Sequence, residues 1–173
     1  SFSEGNDWFI EGDNRFQNTS QKIYGFGADT PSSAALDTNF DFVRIHETIS
    51  RRVAGDLYIG GGFLFDSHAN VHSEIESDPN SPPSPYVTYS LEKGLPTSAQ
   101  QSAGFSLNLL LNRRDNDISA RRGWALGGQY RVSFDGFLGG DSSWQQLDLD
   151  ARAYLPLTTY GRHRIAFWTY TSL

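Results

Sequence analysis

The sequence predicts an all-β fold built from antiparallel transmembrane β-barrel strands. Apolar and polar residues alternate with a period of two in several long runs, which places one set on each face of a strand. The runs reach about ten residues or more, whereas strands of soluble proteins average about 5–6 and a tilted membrane-crossing strand needs about 9–11. Short connections also alternate with longer ones, as in outer-membrane barrels.

Composition narrows the possible classes of protein. The 173-residue chain has no Cys and a net charge of −6. It therefore has no disulfide or thiolate chemistry, and the charge gives no reason to expect a nucleic-acid partner. Mean hydropathy is −0.48, and no apolar run approaches the about 20 residues of a transmembrane helix. The 14% aromatic residues and 17 Gly favour β structure.

The periodicity predicts about eight strands. Their expected ranges are 7–16, 20–28, 38–50, 53–66, 100–113, 122–136, 143–157 and 160–172. A short helix is the alternative for 38–50, where Val43, Ile45 and Ile49 favour the strand. Tight turns are expected at Asn18-Thr19, Arg51-Arg52 and Thr158-Thr159.

The chain reads as a single membrane β-barrel domain over residues 1–173, interrupted by a long loop at 67–99. That segment is acidic and contains five prolines, so it cannot pair as a central strand and should lie in water. We expect it to be extracellular, on the same side as Asp29–Asp37 and Gly136–Ser142, because outer-membrane barrels keep their longer connections on that side.

The alternation assigns each residue to a face. Arg side chains facing hydrocarbon at the bilayer midplane cost about 2–4 kcal/mol each, so charged residues should face the lumen. The expected lumen-facing charges are Asp56, Arg131, Asp148, Asp150 and Arg152. We expect these charges to pair and hold the shape of the barrel; a direct role in transport is the alternative. The side chains expected to face lipid are Ile59, Phe63, Leu107, Leu109, Val132 and Leu149.

Three stretches resemble the BamA/TamA-type bacterial surface antigen family. Residues 7–13 with Tyr24-Gly25-Phe26-Gly27 look like the family's aromatic-Gly-x-Gly strand end, Arg114-Asp115-Asn116 with Gly123 is similar to its RDN turn, and Asp148–Leu157 is similar to an acidic, alternating strand. The motif residues are Tyr24, Gly25, Gly27, Arg114, Asp115, Asn116 and Gly123. Ala120 stands near the place of the family's proline, and Asn112 stands where an Asp is common. We interpret the RDN stretch as a turn that holds strand register.

The resemblance implies that this chain is the central part of a sixteen-strand barrel. It implies a role in assembly, insertion or translocation of proteins or lipids at the bacterial outer membrane. The implied partners are outer-membrane lipid and, as further candidates, other envelope proteins. Periplasmic domains, a lumen loop and both closing strands of the family would then lie outside the chain. The first and last strands here should not pair with each other.

Two other classes of protein stay open. One is a self-contained eight-strand outer-membrane barrel acting as a structural scaffold or lipid-modifying enzyme, and the other is a soluble, lipocalin-like barrel. Requirement for detergent separates the soluble class from the others.

No catalytic, cofactor-binding or metal site is predicted, and we do not expect an enzyme. His68 and His72 could suggest a metal, but no helix brings them together at i and i+4. His163 lies near a turn, and no Gly-x-Ser-x-Gly element accompanies it. Gly60-Gly61-Gly62 falls inside a predicted strand, where Gly suits close packing or a bend rather than phosphate binding.

Overall fold

The computed structural model describes residues 7–25, 30, 35–77, 82–158 and 163–173. Within them, seven antiparallel strands follow one another in chain order and form one sheet, curled into a half-barrel. The strands are β1 (Trp8–Ile23), β2 (Leu36–Ala54), β3 (Leu57–Ser73), β4 (Gln100–Asn112), β5 (Gly123–Ser133), β6 (Trp144–Pro156) and β7 (Arg164–Ser172). The predicted all-β, antiparallel fold is confirmed, although the described residues contain seven strands rather than eight.

The first predicted turn does not exist. Asn18 pairs with Asp41 and Thr19 pairs with Phe40, so β1 continues through both residues to Ile23. A two-residue hairpin turn needs positive φ, and neither Asn18 nor Thr19 has it. The predicted strands 7–16 and 20–28 are therefore one strand, and β2 (Leu36–Ala54) is its long partner.

The second predicted turn is displaced by a few residues. Arg51 and Arg52 belong to β2, and the chain reverses at Gly55-Asp56. Gly55 has φ +51°, in the left-handed region that Gly enters at no steric cost. Asp56 thus lies in the turn, outside the strands, and not on the strand face where the sequence placed it.

The long connection is shorter than predicted because β3 continues to Ser73. The remaining segment, 74–99, contains a 3-10 turn at Glu74–Ser77 and helix α1 at Pro85–Lys93. The Ser84 hydroxyl accepts the Val87 N–H at 3.3 Å and caps the helix. Among the described residues, no helix is long and apolar enough to cross a membrane.

The connections segregate to the two ends of the sheet. Those after β2, β4 and β6 share what we call the short-turn end, and those after β1, β3 and β5 share the long-loop end. Strands β1 to β3 have 16, 19 and 17 residues, whereas β4 to β7 have 13, 11, 13 and 9. The wall is therefore taller on one side than on the other. Which end faces the outside of a cell stays a prediction.

Glycines permit the tight curl of the sheet. Gly60 pairs with Ser50, and an added Cβ would lie 2.6 Å from Ser50 Cα. Gly104 pairs with Ser133, and an added Cβ there would lie 2.8 Å from Ser133 Cα. These neighbours are backbone atoms and cannot yield, so only Gly fits where the concave sides of adjacent strands converge.

Candidate functional site

The concave face of the sheet encloses a polar cavity of about 600 Å³. Because side chains alternate along each strand, every second residue of β1 to β7 faces this space. Charged and amide side chains dominate the face; among those lining the cavity are Asp13, Arg44, His46, Asn108, Gln129 and Asp148. The predicted lumen charges Arg131, Asp148, Asp150 and Arg152 line the same cavity. That this cavity is the lumen of a membrane barrel stays a prediction.

Asp148 is the most enclosed charge of the concave face, with 7% of its surface exposed. Its carboxylate accepts hydrogen bonds from Arg131 Nη2 at 2.5 Å, Tyr170 OH at 2.6 Å and Gln146 Nε2 at 2.9 Å. Such charge-assisted bonds are roughly twice as strong as neutral ones. The cluster therefore ties β5, β6 and β7 together from the inside.

A second group of interacting side chains lies beside the Asp148 cluster on the concave face. Arg152 binds the Asp150 carboxylate through Nε at 2.8 Å, and Trp168 Nε1 donates to Asp150 at 2.6 Å. The Arg152 guanidinium also lies 5.4 Å from the centre of the Trp168 ring, within reach of a cation–π contact. Trp168 thus serves the concave face, where its N–H and its ring both contact the Arg152–Asp150 pair.

A third cluster, on β1 to β3, was missed by the sequence reasoning. Asp66 accepts Arg44 Nε at 2.7 Å and contacts His46 Nε2 at 2.8 Å. Arg44 also reaches Asp13 at 3.6 Å, and Arg15 binds Asp13 at 2.7 Å. The concave face therefore carries ion-pair networks on both sides of an uncharged middle section of β4.

The charged residues of this third cluster alternate along the sequence, but the predicted strands pair them with the wrong partners. A turn at Asn18-Thr19, as the sequence predicts, would place positions 13 and 15 opposite residues of the predicted strand 20–28. In the structure their partner is β2, which sets Asp13 opposite His46 and Arg15 opposite Arg44. Once the pairing is known, alternation alone predicts the cluster.

The RDN stretch forms a self-capped loop between β4 and β5. Asp115 Oδ1 accepts the N–H groups of Arg121 at 2.8 Å and Arg122 at 3.2 Å. These backbone hydrogen bonds lower the pKa of Asp115 below its usual value. Asn116 Oδ1 accepts the N–H groups of Ile118 and Ser119 at 2.9 and 2.8 Å. The two side chains thus satisfy the backbone of a loop that has no regular structure.

The remaining motif residues hold the loop against the strands. Arg114 donates Nε to Asn112 Oδ1 at 2.9 Å and Nη1 to the Asp117 carbonyl at 3.2 Å. Gly123 has φ +101°, and an added Cβ would lie 3.0 Å from Arg114 Cα, so the return into β5 requires Gly. Ala120, in the place of the family's proline, is buried, and its carbonyl accepts Arg164 Nη1 at 2.7 Å.

The aromatic-Gly-x-Gly motif, Tyr24 to Gly27, lies only partly within the described residues. Tyr24 follows the last residue of β1 and is 45% exposed. Gly25 has φ +102°, a conformation that favours Gly. Gly27 and Phe26 lie outside the described residues. The structure therefore gives Tyr24 and Gly25 a place at the long-loop end and no shared contact with the RDN loop.

The convex face carries the apolar set. All six side chains expected to face lipid lie on this face: Ile59, Phe63, Leu107, Leu109, Val132 and Leu149. At the short-turn end, the Arg51 guanidinium stacks on Trp8, 5.4 Å from the centre of its ring. Arg113 stacks on Trp124 at 5.5 Å in the same way. At the long-loop end, aromatic rings cluster; the pairs are Phe63–Phe105, Phe105–Phe134 and Phe134–Phe137. Aromatic residues at both ends of an apolar band are typical of membrane-crossing walls.

The histidines considered for a metal are engaged elsewhere. His68 packs against the rings of Phe40 and Phe42, with centroids 5.3 and 4.8 Å away. His72 Nδ1 contacts the Asn70 carbonyl oxygen at 2.7 Å. In the part of the chain that the structure describes, no group of three or more His, Asp or Glu side chains is placed to hold a metal ion.

Comparison with known families agrees with this architecture. No curated protein matches the chain. Residues 67–172 match the Omp85 superfamily domain; the match covers β4 to β7 and the RDN loop, and Tyr24 and Gly25 precede it. It spans more than half of the chain and confirms the resemblance to the BamA/TamA-type family. The chain therefore belongs to the Omp85 superfamily, whose members are outer-membrane proteins associated with protein insertion and translocation.

Proposed function

We propose that this chain forms part of the wall of a bacterial outer-membrane β-barrel that assists assembly, insertion or translocation of proteins or lipids. The observation that carries the proposal is the division of the matched strands into two faces. Their convex face is apolar and is bounded at the short-turn end by the Trp124–Arg113 pair, and their concave face carries the ion-paired cluster around Asp148. Lipid outside and a wet lumen inside would account for both faces.

The sheet topology favours a wall section over a complete small barrel. Within the described residues, β1 pairs only with β2 and β7 pairs only with β6. An unpaired strand edge in hydrocarbon leaves N–H and C=O groups without partners, which a bilayer does not tolerate. We therefore propose that further strands lie beside β1 and β7 in a larger barrel. The self-contained eight-strand scaffold or enzyme would instead need β1 and β7 to pair with each other.

The proposed role is structural and mechanical, without catalysis or a cofactor. The paired charges on the inside would hold the curvature of the wall while lipid covers the outside. Outer-membrane lipid is the proposed partner of the convex face, and other envelope proteins are proposed as partners of the ends.

The localisation is tested by membrane fractionation and by migration on SDS gels before and after heating. A barrel in the outer membrane should need detergent for extraction and should migrate differently when unheated. Recovery of the protein in the soluble fraction would refute the membrane placement.

The functional part is tested by depletion of the full-length protein in its own host. Its loss should lower the abundance of other folded outer-membrane proteins, or change the lipid composition of the outer membrane. A depleted cell with unchanged protein and lipid content of the outer membrane would refute the role in assembly or translocation, while leaving the localisation intact.

A further inference from the structure

The convex face carries a groove that runs along β6 between β5 and β7. Its floor is formed by Ala151 and Ala153, and its walls by Trp124 and Leu126 on β5 and Phe167 on β7. The space is about 500 Å³ and is lined almost entirely by apolar atoms. This volume lies within the range of small-ligand sites. The depth arises because two small side chains stand between larger ones on both neighbouring strands.

Cations stand at the short-turn end of this groove. The Arg113 guanidinium stacks on Trp124, one wall of the groove, and pairs with Asp56 at 3.1 Å. Arg121 and Arg122 are exposed just before β5 begins, and neither forms a salt bridge with any residue that the structure describes. The nearest acid in sequence, Asp117, pairs with Arg114 at 3.6 Å. The next, Asp115, accepts the backbone N–H groups of Arg121 and Arg122.

We propose that this groove binds an acyl chain of an anionic phospholipid and that Arg121 and Arg122 hold the phosphate. Guanidinium groups match phosphate oxygens in a planar, bidentate geometry. An apolar groove that ends at a cationic rim matches a molecule with a hydrocarbon tail and an anionic head. The inference rests on the proposed function only in placing the convex face in a membrane.

A second copy of the chain is the competing occupant, and charge argues against it. In a two-fold dimer about the membrane normal, both grooves would lie at the same depth and both sets of arginines at the same interface. Arg121 and Arg122 would then face their own copies, and like charges in close contact repel. A phosphate instead neutralises them.

The test uses the full-length protein, extracted in mild detergent and offered equal amounts of phosphatidylglycerol and phosphatidylcholine. Native mass spectrometry counts the lipids that stay bound. The unchanged protein should retain phosphatidylglycerol preferentially. Ala153→Leu should reduce retention of that lipid about tenfold by filling the groove. Arg121→Gln with Arg122→Gln should reduce it by a similar factor, which corresponds to about 1.4 kcal/mol, and should bring it to the level of phosphatidylcholine.

Val132→Leu is the matched control, because it adds bulk to the same convex face at the other end of β5; it should leave lipid retention unchanged. Equal retention of phosphatidylglycerol by all variants would overturn the proposal. A dimer of the unchanged protein that Ala153→Leu dissociates would also overturn it, because a second copy would then occupy the groove. Heat-dependent gel migration separates failure of the groove proposal from failure of the membrane placement. A protein that is folded and needs detergent but has no lipid preference refutes the groove alone. A protein that is soluble without detergent refutes the membrane wall itself.

Discussion

Replacement of Leu107 by Arg tests directly which face of the sheet meets hydrocarbon. Leu107 lies on the convex face of β4, with 54% of its surface exposed. Its neighbour Asn108 points into the concave cavity and accepts Gln129 Nε2 at 2.7 Å. The two positions are adjacent in the chain and lie on opposite faces of the sheet.

The expected loss of unfolding free energy for Leu107→Arg follows from the depth of Leu107 in the apolar band. Ala103 and Leu111 bound the convex face of β4, each four residues away. At about 3.3 Å per residue and a tilt of about 40°, Leu107 is about 10 Å from either boundary. That places it near the midplane of a band about 25 Å tall, where Arg costs about 2–4 kcal/mol. Asn108→Arg should cost about 1 kcal/mol, the worth of its hydrogen bond with Gln129.

Unfolding of the reconstituted full-length protein by urea in lipid vesicles measures both costs. Leu107→Ala serves as the control for lost apolar area, because it removes the side chain without adding charge. A clear difference between Leu107→Arg and Asn108→Arg is expected, with the former less stable. Equal losses of unfolding free energy at the two positions would refute the assignment of faces, whichever value they share.

The other predictions concern the ends and the interior of the wall. Protease applied to intact cells should cut within 74–99 and spare the turn at 55–56; cleavage confined to that turn would reverse the orientation. Asp148→Asn should lower the unfolding free energy by about 2 kcal/mol, because it leaves Arg131 without its partner in an enclosed site, whereas the matched, more exposed Asp150→Asn should cost about half as much. For Asp115, backbone hydrogen bonds lower the folded pKa, so its contribution is present above the usual carboxyl value and is lost as the pH falls through the lowered one. The unfolding midpoints of the protein and of Asp115→Asn should therefore differ near neutral pH and converge in acid; a constant difference would contradict this.

Much of the fold could be predicted because alternation is a local property of the sequence. Strands β4 to β7 begin and end within four residues of their predicted ranges, since each has a clear period of two. The apolar face was assigned correctly for the same reason. What failed was the placement of turns in β1 to β3, where long strands carry polar residues on both faces and offer no clear stop.

The RDN loop and the β1–β3 cluster show where local reasoning ends. Turn residues such as Asn116 and Gly123 predicted a turn, but not that Asp115 would accept two N–H groups six and seven residues ahead. The network of Arg44 and Asp66 depends on the pairing of β2 with β3. Such pairing is fixed by the turn at Gly55, so an error of a few residues there hides the whole network.

The unequal strand lengths give the wall an uneven height. The 19 residues of β2 extend about 60 Å along the strand, or roughly 45 Å along the bilayer normal at a tilt of about 40°. The 11 residues of β5 give only about 28 Å on the same reckoning, close to the thickness of the hydrocarbon. If the short-turn ends lie at one depth, β1 to β3 extend beyond the bilayer on the long-loop side, while β5 to β7 end near its surface. The mouth of the barrel would then open sideways, over the low strands, and a molecule leaving it there would meet lipid headgroups before it met water.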